Sequence, residues 1–148
     1  MPKKYPQGSS LAELLISIGI LGLIVAISIP HIRTSISGIT LANTAKEIVT
    51  DLRDAQQRTV SEQTLYYVQF LEDQNKYRLI KESTSYILKE KTLPAEIDFY
   101  AISGFTDNKA KFNYFGAAIE AGTVTLLHTS TDATSIIEIK PSGYVNYN

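Results

Sequence analysis

Near its N-terminus the chain has an almost continuous run of apolar residues, 11–29, that carries one acid, Glu13. A helix of about 19 residues spans roughly 28 Å, which is close to the thickness of a bilayer core. Lys3 and Lys4 precede the run. The positive-inside rule therefore predicts a cytoplasmic N-terminus and an extracytoplasmic C-terminal domain.

Three interpretations of this run compete. It can be a cleaved signal peptide, with a small-x-small cleavage site at residues 26–28, or a plain single-pass anchor. It can also be a helix that starts in the membrane and packs against copies of itself, where Gly19 and Gly22 allow close approach. Only the third interpretation explains Glu13, because a carboxylate within a membrane is costly and usually implies a partner.

Past Pro30 the sequence becomes polar but keeps a helical period. A single stripe at alternating four- and three-residue spacing contains Leu41, Ala45, Ile48, Leu52, Ala55 and Thr59. The pattern predicts one helix from about Ser10 to Gln63, kinked near Pro30, with the stripe packed against a β-sheet. Solvation is expected for the charged side chains of the other faces, which are Lys46, Glu47, Asp51, Arg53, Asp54 and Arg58.

From Thr64 onward, short β-rich stretches alternate with turn signals. The clearest turns are residues 73–75 and Pro141-Ser142-Gly143. Strands are predicted at 65–70, 77–80, 85–93, 97–102, 110–115, 123–128, 136–139 and 144–147. Short strands at this spacing predict an antiparallel, all-β head domain.

Composition and motifs narrow the classes of function. The chain has 14 Lys and Arg against 15 Asp and Glu, so its charge gives no reason to expect nucleic acid as a partner. The absence of cysteine excludes disulfides, thiol catalysis and zinc held by cysteine. The sequence has no P-loop, nucleophile elbow or His-Glu-x-x-His motif.

The remaining candidates for chemistry are few. His31 and His128 are expected to be structural or solvated. Asp107-Asn108 and Asp132 lie in predicted loops whose oxygens can bind calcium, but their spacing does not fit an EF-hand. We therefore predict no catalytic residue, no metal site and no cofactor.

The segment Gly8-Ser-Ser-Leu-Ala-Glu13, preceded by Lys3-Lys4, resembles the processing motif of type IV pilins and type II secretion pseudopilins. The resemblance implies that a prepilin peptidase cuts after Gly8 and methylates the new N-terminus at Ser9. The acid of the family motif falls five residues after the cut, at Glu13. Ser9 departs from the phenylalanine that the family usually has at the first mature position.

Gly22 and Pro30 fall where this family has a helix-weakening glycine and proline. Pro30 lacks an N–H donor and Gly22 lowers helix propensity, so the span between them is expected to be the weak part of the helix. Glu13 lies four residues from the amine that cleavage would create on Ser9, and on the same helical face. The two charges can pair within one chain or between neighbours, so we predict a role for Glu13 in assembly.

The order of elements resembles, more loosely, the H-type minor pseudopilins and related minor pilins. In these proteins a helix ending in Leu-Arg-x-Ala, here residues 52–55, enters a β-sandwich that closes near a Pro-Ser-Gly turn, here residues 141–143. Some members that bind DNA carry arginine after that glycine. This chain has Tyr144 instead, which argues against a DNA-receptor role.

The resemblance implies a pilin-like α+β fold, in which a long, partly transmembrane N-terminal helix packs on an antiparallel β-sandwich head. The expected organisation is a leader at 1–8, a helix at 9–63 and a β-rich head at 64–148. Within the helix, residues 9–30 are expected to form the membrane or filament core and residues 31–63 the amphipathic part.

The implied function is that of a non-enzymatic minor pilin or pseudopilin in a type II secretion pseudopilus or type IV pilus. The expected partners are other filament subunits, prepilin peptidase, the inner-membrane assembly platform and, before assembly, membrane lipid. The expected location is the cytoplasmic membrane, in a single pass, and then the filament. Two alternatives stay open: a DNA-uptake minor pilin that binds DNA, and a secreted or membrane-tethered β-domain that binds a ligand.

Overall fold

The computed structural model describes the backbone of residues 11–148 and the side chains of residues 11–26 and 38–148. The chain divides into two compact units, Met1–Ile36 and Ser37–Asn148, and each is described by itself. Gly8 and Ser9 lie outside the described residues. Pro30 lies in the helix, within the range whose side chains are not described.

A single helix, α1, runs through Leu11–Glu62 and is followed by Gln63, whose φ is +48°. This confirms the helix predicted from about Ser10 to Gln63, while the kink near Pro30 stays a prediction. Burial of the predicted stripe is complete, because each of its six side chains is 5% exposed or less: Leu41, Ala45, Ile48, Leu52, Ala55 and Thr59. The helical period of the apolar residues therefore identifies the face that packs on the head.

Eight strands follow the helix, one for each predicted strand. They are β1 Tyr66–Leu71, β2 Lys76–Lys81, β3 Tyr86–Thr92, β4 Ile97–Ser103, β5 Lys109–Lys111, β6 Gly122–His128, β7 Thr134–Ile139 and β8 Val145–Tyr147. Short 3-10 turns occupy Glu72–Gln74 and Thr106–Asn108. The turn signals of the sequence thus fall between the observed strands.

The strands form two antiparallel sheets. The first has the order β3-β2-β1-β5 and the second has the order β4-β6-β7-β8. The register shifts between Leu79 and Ile80 in β2 and between Phe99 and Ala101 in β4, as at β-bulges. Because β5 pairs with β1 rather than with β4, the chain crosses between the sheets.

The predicted strand 110–115 is wrong in its second half, because β5 ends at Lys111. Asn113 Oδ1 accepts hydrogen bonds from the N–H groups of Phe115 and Ala117, at 2.9 and 3.0 Å. Gly116 follows with a φ of +88°. Asparagine and glycine therefore impose a tight turn that overrides the strand preference of the aromatic residues between them.

One hydrophobic core fills the second unit. It contains the helix stripe together with inward side chains of both sheets, among them Phe70, Phe112, Leu79, Ile97, Leu126 and Ile137. Phe70 meets Phe99 edge to face, with 5.8 Å between the ring centroids. The core residues all lie between Leu41 and Val145, so this unit contains its own core.

Candidate functional site

Glu13 is exposed in the first turn of α1. The hydroxyl of Ser17 donates a hydrogen bond to the backbone carbonyl of Glu13 at 2.8 Å. Within the described part of the chain, no ion pair uses the Glu13 carboxylate. The predicted assembly acid is thus exposed, while Gly8 and Ser9 are outside the residues that the structure describes.

The helix around Glu13 presents a bare apolar surface. Its ten large apolar side chains are each at least half exposed: Leu11, Leu14, Leu15, Ile16, Ile18, Ile20, Leu21, Leu23, Ile24 and Val25. At 100° per residue these positions surround the helix rather than forming one stripe. Among the described residues, no helix contains a stretch that is long and apolar enough to cross a membrane.

Gly19 and Gly22 lie within this apolar surface. A Cβ atom added to either glycine would meet no atom of the described chain within 4 Å. Packing inside the chain therefore gives no reason for glycine at these two positions. Glycine at these two positions allows another helix to approach closely.

In the second unit, α1 is held to the first sheet by ion pairs around Asp51. The Asp51 carboxylate is only 2% exposed and accepts hydrogen bonds from Lys89 Nζ and Tyr77 Oη, each at 2.8 Å. Lys91 Nζ lies 3.2 Å from the same carboxylate. Lys89 also reaches Asp54 at 2.9 Å. The expectation that Asp51 is solvated is wrong, because β3 brings two lysines over it.

The pKa values in this cluster follow from its geometry. Burial by itself raises the pKa of the Asp51 carboxyl, but hydrogen bonds from Lys89, Tyr77 and Lys91 outweigh it and hold the pKa below its ordinary value. Burial and the adjacent Asp51 carboxylate raise the pKa of Tyr77 far above its ordinary value. The cluster is therefore an ionised clamp between the helix and the sheet.

A second junction joins α1 to two turns of the head. Gln56 Nε2 donates hydrogen bonds to the carbonyl oxygens of Gly116, at 2.6 Å, and Gly143, at 3.0 Å. Arg53 Nη2 donates to the carbonyl oxygen of Val145 at 2.8 Å. The Leu-Arg-x-Ala stretch at 52–55 and the Pro-Ser-Gly turn at 141–143 are thus brought together. Gln56 was not singled out by the sequence, because an isolated glutamine on a helix gives no signal of this contact.

His128 and Asp107, which were also considered for chemistry, have separate surroundings. His128 is buried at the end of β6, and its Nδ1 lies 3.2 Å from the hydroxyl of Ser130. Asp107 pairs with Lys109 at 3.0 Å. Among the side chains that the structure describes, those of residues 11–26 and 38–148, no group of three or more His, Asp or Glu is arranged to hold a metal ion.

A helix packed on two antiparallel four-stranded sheets defines a pilin-like α+β fold. The crystal structure of the type IV minor pilin FimU of Pseudomonas aeruginosa shares it with a TM-score of 0.60 and 16% identity, over 73% of this chain and 87% of that chain. A second crystal form of FimU gives a TM-score of 0.58 and 15% identity, over 73% and 92%.

The minor pseudopilin EpsH from the type 2 secretion system of Vibrio cholerae has the same fold, with a TM-score of 0.61 and 10% identity, over 73% of this chain and 95% of that chain. No family model and no curated protein matches the chain. The likeness to FimU and EpsH is one of fold, and it confirms the fold class expected from the sequence.

Proposed function

We propose that this chain is a structural subunit, a minor pilin or pseudopilin, of a filament of the type IV pilus or type II secretion kind. One observation carries the proposal: a head with the fold of such subunits is joined to a helix whose first part is apolar on all sides. An apolar surface of this kind needs a cover, because exposing it to water is unfavourable. Lipid supplies that cover before assembly, and the helices of neighbouring subunits supply it in the filament.

Processing belongs to the same proposal. A prepilin peptidase cuts between Gly8 and Ser9 and methylates the amine of Ser9. The amine is then four residues before Glu13 in the sequence, and the Glu13 side chain is exposed. Within an apolar surrounding, the paired charges are far less costly than either charge alone, so Glu13 favours a neighbour that offers an amine.

The proposed location is the cytoplasmic membrane, with a cytoplasmic N-terminus and an extracytoplasmic head, and then the filament. The proposed partners are other subunits, the peptidase and the inner-membrane assembly platform. The role is structural rather than catalytic, and the ion pairs of Asp51 with Lys89 and Lys91 support it, because they bind the helix to the head.

The test is the mature N-terminus of the full chain, produced in cells with and without a prepilin peptidase and measured by intact mass and N-terminal sequencing. We expect a start at Ser9 that depends on the peptidase and is lost in Gly8→Ala. Gly19→Ala is the control, since it leaves the cut site unchanged. A start near Ile29 would favour secretion, and an intact Met1 would favour a plain anchor; both results overturn the proposal.

A further inference from the structure

The strands of the two sheets in the head differ in charge. In the strands of the first sheet, β3-β2-β1-β5, Glu90 is the single acid among seven basic residues: Lys76, Arg78, Lys81, Lys89, Lys91, Lys109 and Lys111. In the strands of the second sheet, β4-β6-β7-β8, there is no Lys or Arg, and there are two acids, Asp98 and Glu138. We call these the basic sheet and the acidic sheet.

The outer face of the basic sheet retains four of its cations. Lys81, Lys89 and Lys91 face acids of α1 instead. The four that remain are Lys76, Arg78, Lys109 and Lys111, on the face that also carries Tyr67 and Gln69. Lys109 pairs with Asp107 at 3.0 Å and Lys111 pairs with Glu82 at 2.5 Å, so these two lysines are partly neutralised. Lys76 and Arg78 share Glu90 as a partner, and this sharing leaves the two cations incompletely neutralised.

A tyrosine lies at the centre of this basic face. The ring centroid of Tyr67 is 5.3 Å from Lys111 Nζ and 5.9 Å from Lys109 Nζ. The next outward residue of β1, Gln69, is in register with both Arg78 and Lys109. The centre of the face thus combines a flat ring, an amide and lysines that acidic neighbours partly neutralise.

The outer face of the acidic sheet has the opposite character. Thr125 lies at its centre, in register with Ala101 on one side and Ile136 on the other. Asp98 and Glu138 lie towards the two ends, and both are exposed. The segments around this sheet add exposed acids at Glu96 and Asp132, against one basic residue, Lys140, whose Nζ lies 3.8 Å from Glu138. Glu120 lines a pocket with Lys109 and Lys111, beside the basic sheet.

We propose that the outer face of the basic sheet in one copy of this chain packs on the outer face of the acidic sheet in the next copy. The inference rests on the proposed function, because a filament places heads side by side. Two sheets can stack face to face about 10 Å apart. Opposite charges at such a contact set partner choice and orientation more than affinity.

This pairing uses two different faces, so it is heterologous. A heterologous contact continues from copy to copy and forms a ring or a helical array, whereas a contact between identical faces closes as a dimer. A nucleic acid would cover only the basic face and leave the acidic face unmatched. A second copy of the chain complements both faces.

The absence of native cysteine permits a direct test with the full chain in detergent. Gln69→Cys places a thiol at the centre of the basic face, and Thr125→Cys places one at the centre of the acidic face. With a short thiol cross-linker, we expect dimers when the two variants are mixed and none from either variant alone. Salt at 1 M should reduce the yield about tenfold, because it screens charges beyond roughly 3 Å. Dimers from one variant alone, or no dimers in the mixture, would overturn the pairing.

Charge variants distinguish the effect of charge on the acidic face from the effect of the net charge of the chain. Asp98→Lys with Glu138→Lys, introduced into the Thr125→Cys chain, should reduce the yield about tenfold. Glu72→Lys with Asp73→Lys changes the net charge equally but in the exposed turn beside the basic sheet, and it should not reduce the yield. Equal loss in both would overturn the inference. None of these changes touches Gly8 or Glu13, so failed cross-linking in a chain that starts at Ser9 would refute only the head contact.

Discussion

The side-chain amide of Gln56 donates a hydrogen bond to the carbonyl oxygen of Gly143, 87 positions later in the sequence, at 3.0 Å. The same nitrogen donates to Gly116. One helix residue therefore fixes both the turn after β5 and the turn before β8. This contact joins the residue that directly follows the 52–55 stretch to the last residue of the 141–143 turn.

Gly143→Ala should destabilise the head by about 2–4 kcal/mol, from left-handed strain and loss of a hydrogen bond. Gly143 has a φ of +83°, and an added Cβ would lie 1.9 Å from the carbonyl oxygen of Gly116 and 2.6 Å from Gln56 Nε2. Urea unfolding followed by tyrosine fluorescence measures the change. Ser142→Ala, in the same turn, is the control and should shift stability by less than about 0.5 kcal/mol. Equal midpoints for the two variants would contradict the close packing seen at Gly143.

Asp51→Asn should cost about 2 kcal/mol, since it leaves Lys89 and Lys91 beside a neutral group. Breaking a fully buried ion pair typically costs about 3–5 kcal/mol, but both lysines are partly exposed and recover some hydration. Asp54→Asn is the matched control. Its carboxylate is 25% exposed and its loss should cost about 0.5 kcal/mol. If Asp54→Asn is the more costly of the two, the burial of Asp51 does not determine the strength of the clamp.

The ion pairs of Asp51 and Asp54 also predict that the free energy of unfolding falls in acid. Burial opposes ionisation of Asp51 and Asp54, but hydrogen bonds from Lys89 prevail and lower the pKa of both carboxyls. The unfolded chain, with an Asp pKa of about 3.9, therefore binds more protons than the folded chain just below that pH. Stability should be fully present above about pH 4 to 5 and fall as the pH drops through the folded pKa values. Urea midpoints between pH 7 and pH 3 measure this loss, and the decline should be shallower in Asp51→Asn; an unchanged slope would show that other groups cause it.

Glu13→Ala should leave membrane insertion and cleavage intact but reduce incorporation into filaments by at least about tenfold, because the charge pair in an apolar surrounding is lost. Quantitative immunoblots of sheared filaments and membranes measure the distribution. Ser17→Ala is the control, because the Ser17 hydroxyl donates its hydrogen bond to the backbone carbonyl of Glu13 and the substitution leaves the Glu13 carboxylate in place. Normal incorporation of Glu13→Ala would rule out the charge-pair role.

Most of the architecture could be read from local patterns. The 41–59 stripe identified the buried helix face, and turn residues placed the breaks between strands, because hydrophobic period and turn chemistry act over a few residues. Sheet order was not predictable: the pairing of β1 with β5 spans about 40 residues and leaves no local mark. The burial of Asp51 was missed for the same reason, since its partners Lys89 and Lys91 lie on β3.

The sequence also revealed one part of the candidate site and concealed another. Glu13 was identified because an acid inside an apolar run is conspicuous in one sequence. The charge division between the two sheets was hidden, because the net charge of the whole chain is only −1. It becomes visible only when the strands are sorted by sheet, since β5 carries Lys109 and Lys111 across to the first sheet.

The contacts of Arg53 and Gln56 can form only after nearly all of the chain has been synthesised, because their acceptors are Val145 and Gly143. The acceptor at Val145 is 92 residues beyond Arg53 and the acceptor at Gly143 is 87 residues beyond Gln56, so these two helix residues lack their acceptors for more than half of translation. Long-range contacts of this kind form late and slow folding. A nascent chain that stalls before residue 143 lacks both of these contacts, and the ion pairs of Asp51 with Lys89 and Lys91 then have to hold its helix on the first sheet.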